Sequence, residues 1–269
     1  MSGYAEVIGD PIAHTKSPVI HGFWLKALGI EAEYRATHVT SDELSDYFAR
    51  RTLDPDWRGC NITLPHKEAA LAHVADPGDV RGSIGAINTV FRKENGEIVG
   101  TNTDAAGFYA PLADTDLAGG HAVVIGSGGA ARAILFALSR IGIGAVTLMA
   151  RNPLKGAGLL AAFALKGDVV DFAAQLPAAD LVVNASPLGM KGQAPLSVDL
   201  SPLPQSAIVY DIVYAPLETD LLRAARARDL AMIDGLEMLI GQAAAAFELF
   251  FDAAPPRARD GELRALLTA

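Results

Sequence analysis

Short apolar runs of strand length alternate along this chain with stretches whose apolar residues recur at helical spacing. Residues 5–9 read as a strand. Ser17-Pro18 then opens a helix, with Ser17 as its cap and Pro18 in the first turn, where a missing N–H costs nothing. Ile20, Phe23, Trp24, Ala27 and Leu28 form its apolar face, and Gly29 ends it. A strand over 33–39 follows, then a helix over 41–51 announced by the Thr40/Glu43 capping box. Residues 57–63 read as a strand that runs into a helix opened by Pro65. Residues 86–92 and 97–101 flank Asn95-Gly96 and predict a β-hairpin.

From about residue 104 the texture changes. Strands are expected at 121–125, 144–150, 181–184, 207–211 and 231–233, with helices at 129–141 and 153–165 between them. Strand–helix alternation of this kind predicts a doubly wound parallel sheet. A long Ala-rich helix over 235–251 and a short one over 259–268 close the chain. The change of pattern, with no linker, implies two α/β domains.

Composition narrows the class. The 269 residues are 51% hydrophobic, ample to offset chain entropy in a folded core. A formal charge of −9 and the absence of any basic stripe exclude a phosphate-backbone binder, so no nucleic-acid partner is expected. No uninterrupted apolar stretch is long enough for a membrane helix, and 231–251 is broken by Asp234, Glu237, Gln242 and Glu248, so no membrane partner is expected either. The opening Met1-Ser2-Gly3-Tyr4-Ala5-Glu6 lacks the charged and apolar regions of a signal peptide. The single cysteine, Cys60, suits a reducing cytoplasm and reads as a small buried apolar residue.

The sharpest motif is Gly126-Ser127-Gly128-Gly129-Ala130-Ala131, after a strand and before a helix. Gly126 allows the tight turn, Gly128 lets backbone approach a pyrophosphate, and the helix N-terminus offers free N–H groups to an anion. At the end of the second strand, where an acid would bind the ribose 2′-hydroxyl of NAD, stand Ala150, Arg151 and Asn152. Arg151 can fork onto a 2′-phosphate, with Lys155 one turn on, which favours NADP.

Other patches carry polar residues beyond the needs of a core. Thr15 and Ser17 bring two hydroxyls to a helix start, a setting that suits a carboxylate, although capping alone accounts for Ser17. Asn61 and Thr63 share a strand face, and Lys67 follows a predicted helix start, where the dipole disfavours a cation that has no anionic partner. Asn88 and Asp104 stand at strand ends, in positions that turn chemistry also explains. Gln242 lies two turns beyond Gly235 on an apolar helix face, where an amide needs a partner. The histidines His14, His66 and His73 lack metal-ligand spacing, so no metal is assigned. His66 lies beside Lys67, and the sequence assigns it no role.

In register, these patches resemble the shikimate dehydrogenase family from Val7 to about Phe247. The resemblance is carried by Gly-Asp-Pro-Ile-Ala-His-Thr-Lys-Ser-Pro from Gly9, Asn-Ile-Thr-Leu-Pro-His-Lys from Asn61, Gly-Ala-Ile-Asn-Thr from Gly85 and Asn-Thr-Asp from Asn102. The glycine loop, Asn-Ala-Ser-Pro-Leu-Gly-Met from Asn184, Asp-Ile-Val-Tyr-Ala-Pro from Asp211 and Asp-Gly-Leu-Glu-Met-Leu-Ile-Gly-Gln-Ala from Asp234 complete it. The resemblance implies an N-terminal α/β substrate domain, 1–103, completed by helices in 236–269. It implies a Rossmann NADP domain over 104–235, with the active site in the cleft between them. The implied reaction is reduction of 3-dehydroshikimate to shikimate by a cytoplasmic monomer or homodimer. Lys67 and Asp104 match the catalytic pair. Thr15, Ser17, Thr63, Lys67, Asn88, Asp104, Tyr214 and Gln242 match substrate contacts. Gly126, Ser127, Gly128, Gly129, Ala130, Arg151, Asn184, Ser186, Gly235 and Met238 match cofactor contacts.

The chain departs from the family pattern at Thr15, where a serine is usual, at Ala150, where an asparagine is usual, and at Ser186, where a threonine is usual. A quinate or aminoshikimate dehydrogenase and a non-catalytic NADP-binding sensor are the alternatives. The lack of an acid near Arg151 speaks against an NAD-preferring enzyme, and retention of Lys67, Asp104 and Gln242 speaks against a sensor.

Overall fold

The fold is described from a computed structural model, over residues 3–269. Met1 and Ser2, where the signal-peptide reading begins, lie outside the described residues. In chain order the elements are β1 (Tyr4–Gly9), α1 (Ser17–Leu28), β2 (Glu33–His38), α2 (Leu44–Leu53), β3 (Trp57–Ile62), α3 (Val80–Ser83), β4 (Thr89–Arg92) and β5 (Ile98–Thr101). Then follow α4 (Asp104–Tyr109), β6 (His121–Ile125), α5 (Gly129–Ile141), β7 (Ala145–Met149), α6 (Pro153–Ala162), β8 (Gly167–Val170) and β9 (Leu181–Asn184). The chain ends with β10 (Ile208–Asp211), α7 (Asp220–Arg226), β11 (Ala231–Ile233), α8 (Gly235–Phe251) and α9 (Asp260–Thr268). The chain divides into two compact units, one of 1–103 with 240–269 and one of 104–239.

The first unit holds a sheet of order β2-β1-β3-β4-β5, parallel across β2, β1 and β3 and antiparallel from β3 to β5. The parallel strand β1 is buried along its whole length, as a strand covered on both faces must be. Glu6 is nonetheless on it, fully buried. Its carboxylate accepts from Tyr47 Oη at 2.7 Å, from Arg51 Nε at 2.5 Å and from the Thr37 hydroxyl. A buried charge requires that degree of pairing. Cys60 is buried as expected, and burial raises its thiol pKa.

One side of this unit is an aromatic cluster. His21 stacks on Tyr34 with ring centroids 3.9 Å apart, and Trp24, Phe247 and Phe250 surround it. Neither nitrogen of His21 has a hydrogen-bond partner among the described residues. Burial alone lowers its pKa from 6.5 to about 3.

The second unit is the doubly wound sheet. Its order, β11-β10-β9-β6-β7-β8, is parallel throughout. Strand order reverses between β6 and β9, and ligands of such sheets bind beyond the strand ends at that reversal. Apolar side chains of β6, β7, β9 and α5 fill its core, together with Phe108, Tyr210 and Met238.

Several local expectations are corrected. Ser17 is the first helical residue rather than the cap; Lys16 holds the cap position with no side-chain bond to the helix. The Glu43 carboxylate accepts the Thr40 N–H at 2.9 Å, as the Thr40/Glu43 box predicts, but the Glu43 N–H closes a tight turn onto the Thr40 carbonyl at 3.2 Å and the helix expected over 41–51 begins only at Leu44. No helix follows Pro65. The Lys67 carbonyl, which would accept a helical bond, accepts instead from the Ile87 N–H at 2.8 Å, and only a 3-10 turn forms at Ala69–His73. Strand β8 and the short helices α3, α4 and α7 were not anticipated.

His21 carries a pH prediction. Its folded pKa lies below its unfolded value, so the unfolded chain binds the proton first, and stability is lost as pH falls from 6.5 towards 3. At pH 4.5 that loss amounts to about 2–3 kcal/mol. Urea unfolding at pH 7 and 4.5 is expected to show His21→Phe losing that much less stability than the parent; an equal loss in both would contradict it.

Candidate active site

Several polar side chains buried in the first unit find partners in one another and form a connected network. Tyr34 Oη donates to Asn61 Oδ1 at 2.6 Å. Asn61 Nδ2 donates to the Asn88 carbonyl at 3.2 Å and to Thr89 Oγ1 at 3.0 Å. Asn88 Nδ2 donates to Thr103 Oγ1 at 2.9 Å and to Gln242 Oε1 at 3.3 Å, while its Oδ1 accepts the Thr103 N–H at 2.7 Å. The partner expected for the Gln242 amide is therefore Asn88. Asn61 is committed to this network. It does not pair with Thr63, which lies past the end of β3 and is half-buried.

The network also fixes backbone around two candidate residues. Lys67, half-buried, is held through its carbonyl by Ile87, the neighbour of Asn88. Thr103, held by Asn88, is followed directly by Asp104, which opens the second unit and is buried. Because Lys67 lies in a turn, the helix-dipole argument made for it does not apply. His66 is buried, with its Nε2 2.6 Å from the Val39 carbonyl.

Thr15 and Ser17 are brought together. Thr15 Oγ1 donates to Ser17 Oγ at 3.2 Å and accepts the Ser17 N–H at 3.3 Å. Two hydroxyls thus meet at the N-terminus of α1, in keeping with an anion site. Lys16, between them, reaches the Leu267 carbonyl in α9.

In the second unit, Gly126 has a φ of +113°. A Cβ on it would stand 3.0 Å from the Ala185 carbonyl oxygen and 3.1 Å from Ser186 Cβ. Gly128 is extended at the N-terminus of α5, with no side-chain cap, and a Cβ there would meet nothing within 4 Å. Gly129 is buried, Ser127 and Ala130 are half-buried, and the open helix end and bare Gly128 backbone suit a pyrophosphate. Arg151 and Lys155 are exposed past the end of β7, and Asn152 caps α6 by accepting the Lys155 N–H at 3.0 Å. Ala150 is packed in the apolar core.

Asn184 and Ser186 are buried and bonded to each other. Asn184 Oδ1 accepts the Ser186 N–H at 3.0 Å and hydroxyl at 2.7 Å. Their side chains therefore shape the loop after β9. Gly235 is required by close approach, since a Cβ would stand 2.5 Å from the carbonyl oxygens of Ile212 and Val213. Met238 is a core residue of this unit. Tyr214 is half-buried, and burial raises its pKa. Sequence reasoning gave no role to Asp211, a carboxylate that ends an otherwise apolar strand at the ligand-binding end of the sheet. Its position there was the available signal. Among the described residues, no three His, Cys, Asp or Glu side chains gather as a metal site, and no helix is long and apolar enough to cross a membrane.

The two glycines of the loop separate fold from binding. Gly126→Ala is expected to lower Tm by several degrees, and Gly128→Ala to leave it within about a degree while blocking a dinucleotide. Thermal melts together with cofactor titration test this; equal Tm losses would contradict it.

Residues 7–90 match the family described as shikimate dehydrogenase substrate binding domain, and residues 235–259 match the shikimate 5′-dehydrogenase C-terminal domain. The chain is 63% identical to the shikimate dehydrogenase (NADP(+)) of Sphingopyxis alaskensis, over 100% of this chain and 98% of that protein. Among solved structures, shikimate 5-dehydrogenase of Thermus thermophilus, in complex with NADP(H) and shikimate, is similar with a TM-score of 0.85 and 36% identity. That likeness covers 98% of this chain and 99% of the other. Ligand-free 5-ketofructose reductase of a Gluconobacter strain is similar with a TM-score of 0.88 at 28% identity, covering 99% of both chains.

Proposed function

Because the chain belongs to the shikimate dehydrogenase family, we propose that it catalyses the reversible NADPH-dependent reduction of 3-dehydroshikimate to shikimate, with Lys67 as proton donor. The observation that carries this reading is identity spread along the whole length of the chain, through both units. The cofactor is NADP. Its pyrophosphate belongs on Gly126–Ala130 and its 2′-phosphate on Arg151, while Asn184, Ser186, Gly235 and Met238 shape the rest of its site. When bound, the nicotinamide supplies or accepts the hydride.

The remaining chemistry belongs to this chain's residues. The Thr15 and Ser17 hydroxyls hold the substrate carboxylate, with Tyr214 nearby. Thr63, Asn88 and Gln242 hold ring hydroxyls. As negative charge builds on the carbonyl oxygen of the substrate, the Lys67 ammonium stabilises it and transfers a proton from Nζ. Asp104 bonds a substrate hydroxyl and keeps the ammonium oriented. In the oxidative direction Lys67 takes the proton back. The substrate is a small molecule, and the protein works as a monomer or homodimer in the cytoplasm.

General acid–base help of this kind is worth about 10²–10⁴-fold. Lys67→Ala is therefore expected to lose most of kcat while keeping its affinity for shikimate, read by steady-state kinetics beside direct binding. An unchanged kcat would remove Lys67 from the role. Arg151→Ala is expected to raise KM for NADP about tenfold and to leave KM for NAD unchanged. Equal effects on both cofactors would contradict a 2′-phosphate contact.

A further inference from the structure

We propose that Asp211 is a positioning residue for cofactor binding: its carboxylate locks the loop after β9 against the first glycine of the dinucleotide loop. The inference rests on the reading of residues 126–130 and 184–186 as the cofactor site.

Asp211 ends β10, directly opposite Asn184 in the parallel pairing with β9, and it is fully buried. Its Oδ1 accepts from Asn184 Nδ2 at 2.9 Å and from the Val213 N–H at 3.0 Å. Its Oδ2 accepts from the Thr219 hydroxyl at 2.6 Å. An ionised carboxylate only accepts, so it dictates which way the Asn184 carboxamide points. The amino group faces Asp211 and also reaches the Leu188 carbonyl at 3.0 Å. The carbonyl oxygen is thereby turned towards Ser186, where it takes the N–H at 3.0 Å and the hydroxyl at 2.7 Å. Ser186 Oγ in turn accepts the Leu188 N–H at 3.2 Å. Reversing the carboxamide would set two oxygens face to face and break each of these bonds to Asn184.

The consequence reaches the dinucleotide loop. Asn184 is also paired with Ile125, the residue before Gly126, and Ser186 Cβ and the Ala185 carbonyl fill the space beside Gly126. The two loops flank the point where strand order reverses. The other end of the clamp is Thr219, which caps α7 by accepting the Leu222 N–H at 3.3 Å. Burial raises the Asp211 pKa against the pull of its three donors. A carboxylate kept in so unfavourable a place by such donors orders both loops before a ligand arrives, and preordered loops bind more tightly.

The test is calorimetric titration with NADP⁺, at a temperature where thermal melts show each protein folded. Asp211→Ala is expected to bind about tenfold more weakly, and Asp211→Asn, which keeps the shape and can bond Asn184, Val213 and Thr219, within about threefold of the parent. Thr219 belongs to no proposed ligand site; its hydroxyl bonds Asp211 and caps α7, and the thermal melts separate a lost cap from a loosened clamp. Thr219→Val is expected to weaken NADP⁺ about threefold and Thr219→Ser to restore it; this pair decides the matter if Asp211→Ala fails to fold. Parent-like affinity in both Asp211→Ala and Thr219→Val, or in Thr219→Val where Asp211→Ala does not fold, would overturn the inference while leaving the functional reading intact. A parent chain that does not bind NADP⁺ would overturn both.

Discussion

A buried carboxamide left with unmet bonds costs about 1–3 kcal/mol for each abandoned group, and Asn88 avoids that cost with partners from distant parts of the first unit. Its amino group reaches Thr103 just past the hairpin and Gln242 on α8, and its oxygen takes the Thr103 N–H. The preceding residue, Ile87, holds the Lys67 carbonyl. One short segment thus fixes the backbone of the candidate proton donor, the residue that leads into Asp104, and the late helix that returns to this unit. Asn88 and Gln242, two of the proposed substrate residues, are thus placed by hydrogen bonds that also satisfy the core.

The second unit solves a different problem with the same economy of parts. A parallel sheet leaves its strand ends bare at the point where the order reverses, and the loops after β6 and β9 occupy that point. Gly126 lets those loops touch, Gly128 leaves backbone open, and the Asn184–Asp211 pair sets the loop after β9. Arg151 is exposed past the neighbouring strand, where the proposed reading has it meet the 2′-phosphate.

Much of this was legible in the sequence because it is local. Strand β6, helix α5 and helix α8 stand where apolar periodicity and the glycine pattern placed them. The readings that failed were those in which a distant group captured a local one. Pro65 does not open a helix because Ile87 takes the Lys67 carbonyl. The helix after Thr40 starts late because the Glu43 N–H first closes a tight turn onto the Thr40 carbonyl at 3.2 Å. The sequence assigns no role to Glu6 or Asp211, charged residues within short strands. Only the fold shows Arg51 and Tyr47 assembled around the first, and Asn184 and Thr219 around the second. The motif residues were legible from the resemblance, whereas the partners that orient them were not, since nothing in local spacing encodes a bond across the sheet.

The central claim is that these two units serve one reaction, hydride exchange between NADP and a shikimate-type acid. Absorbance at the reduced-nicotinamide band tests it most directly, with the purified chain offered shikimate or quinate and either NADP⁺ or NAD⁺. Rapid appearance of the band with shikimate and NADP⁺, and far slower appearance with the other pairs, is the predicted result. Preference for quinate or for NAD⁺, or no turnover with any pair, would contradict it.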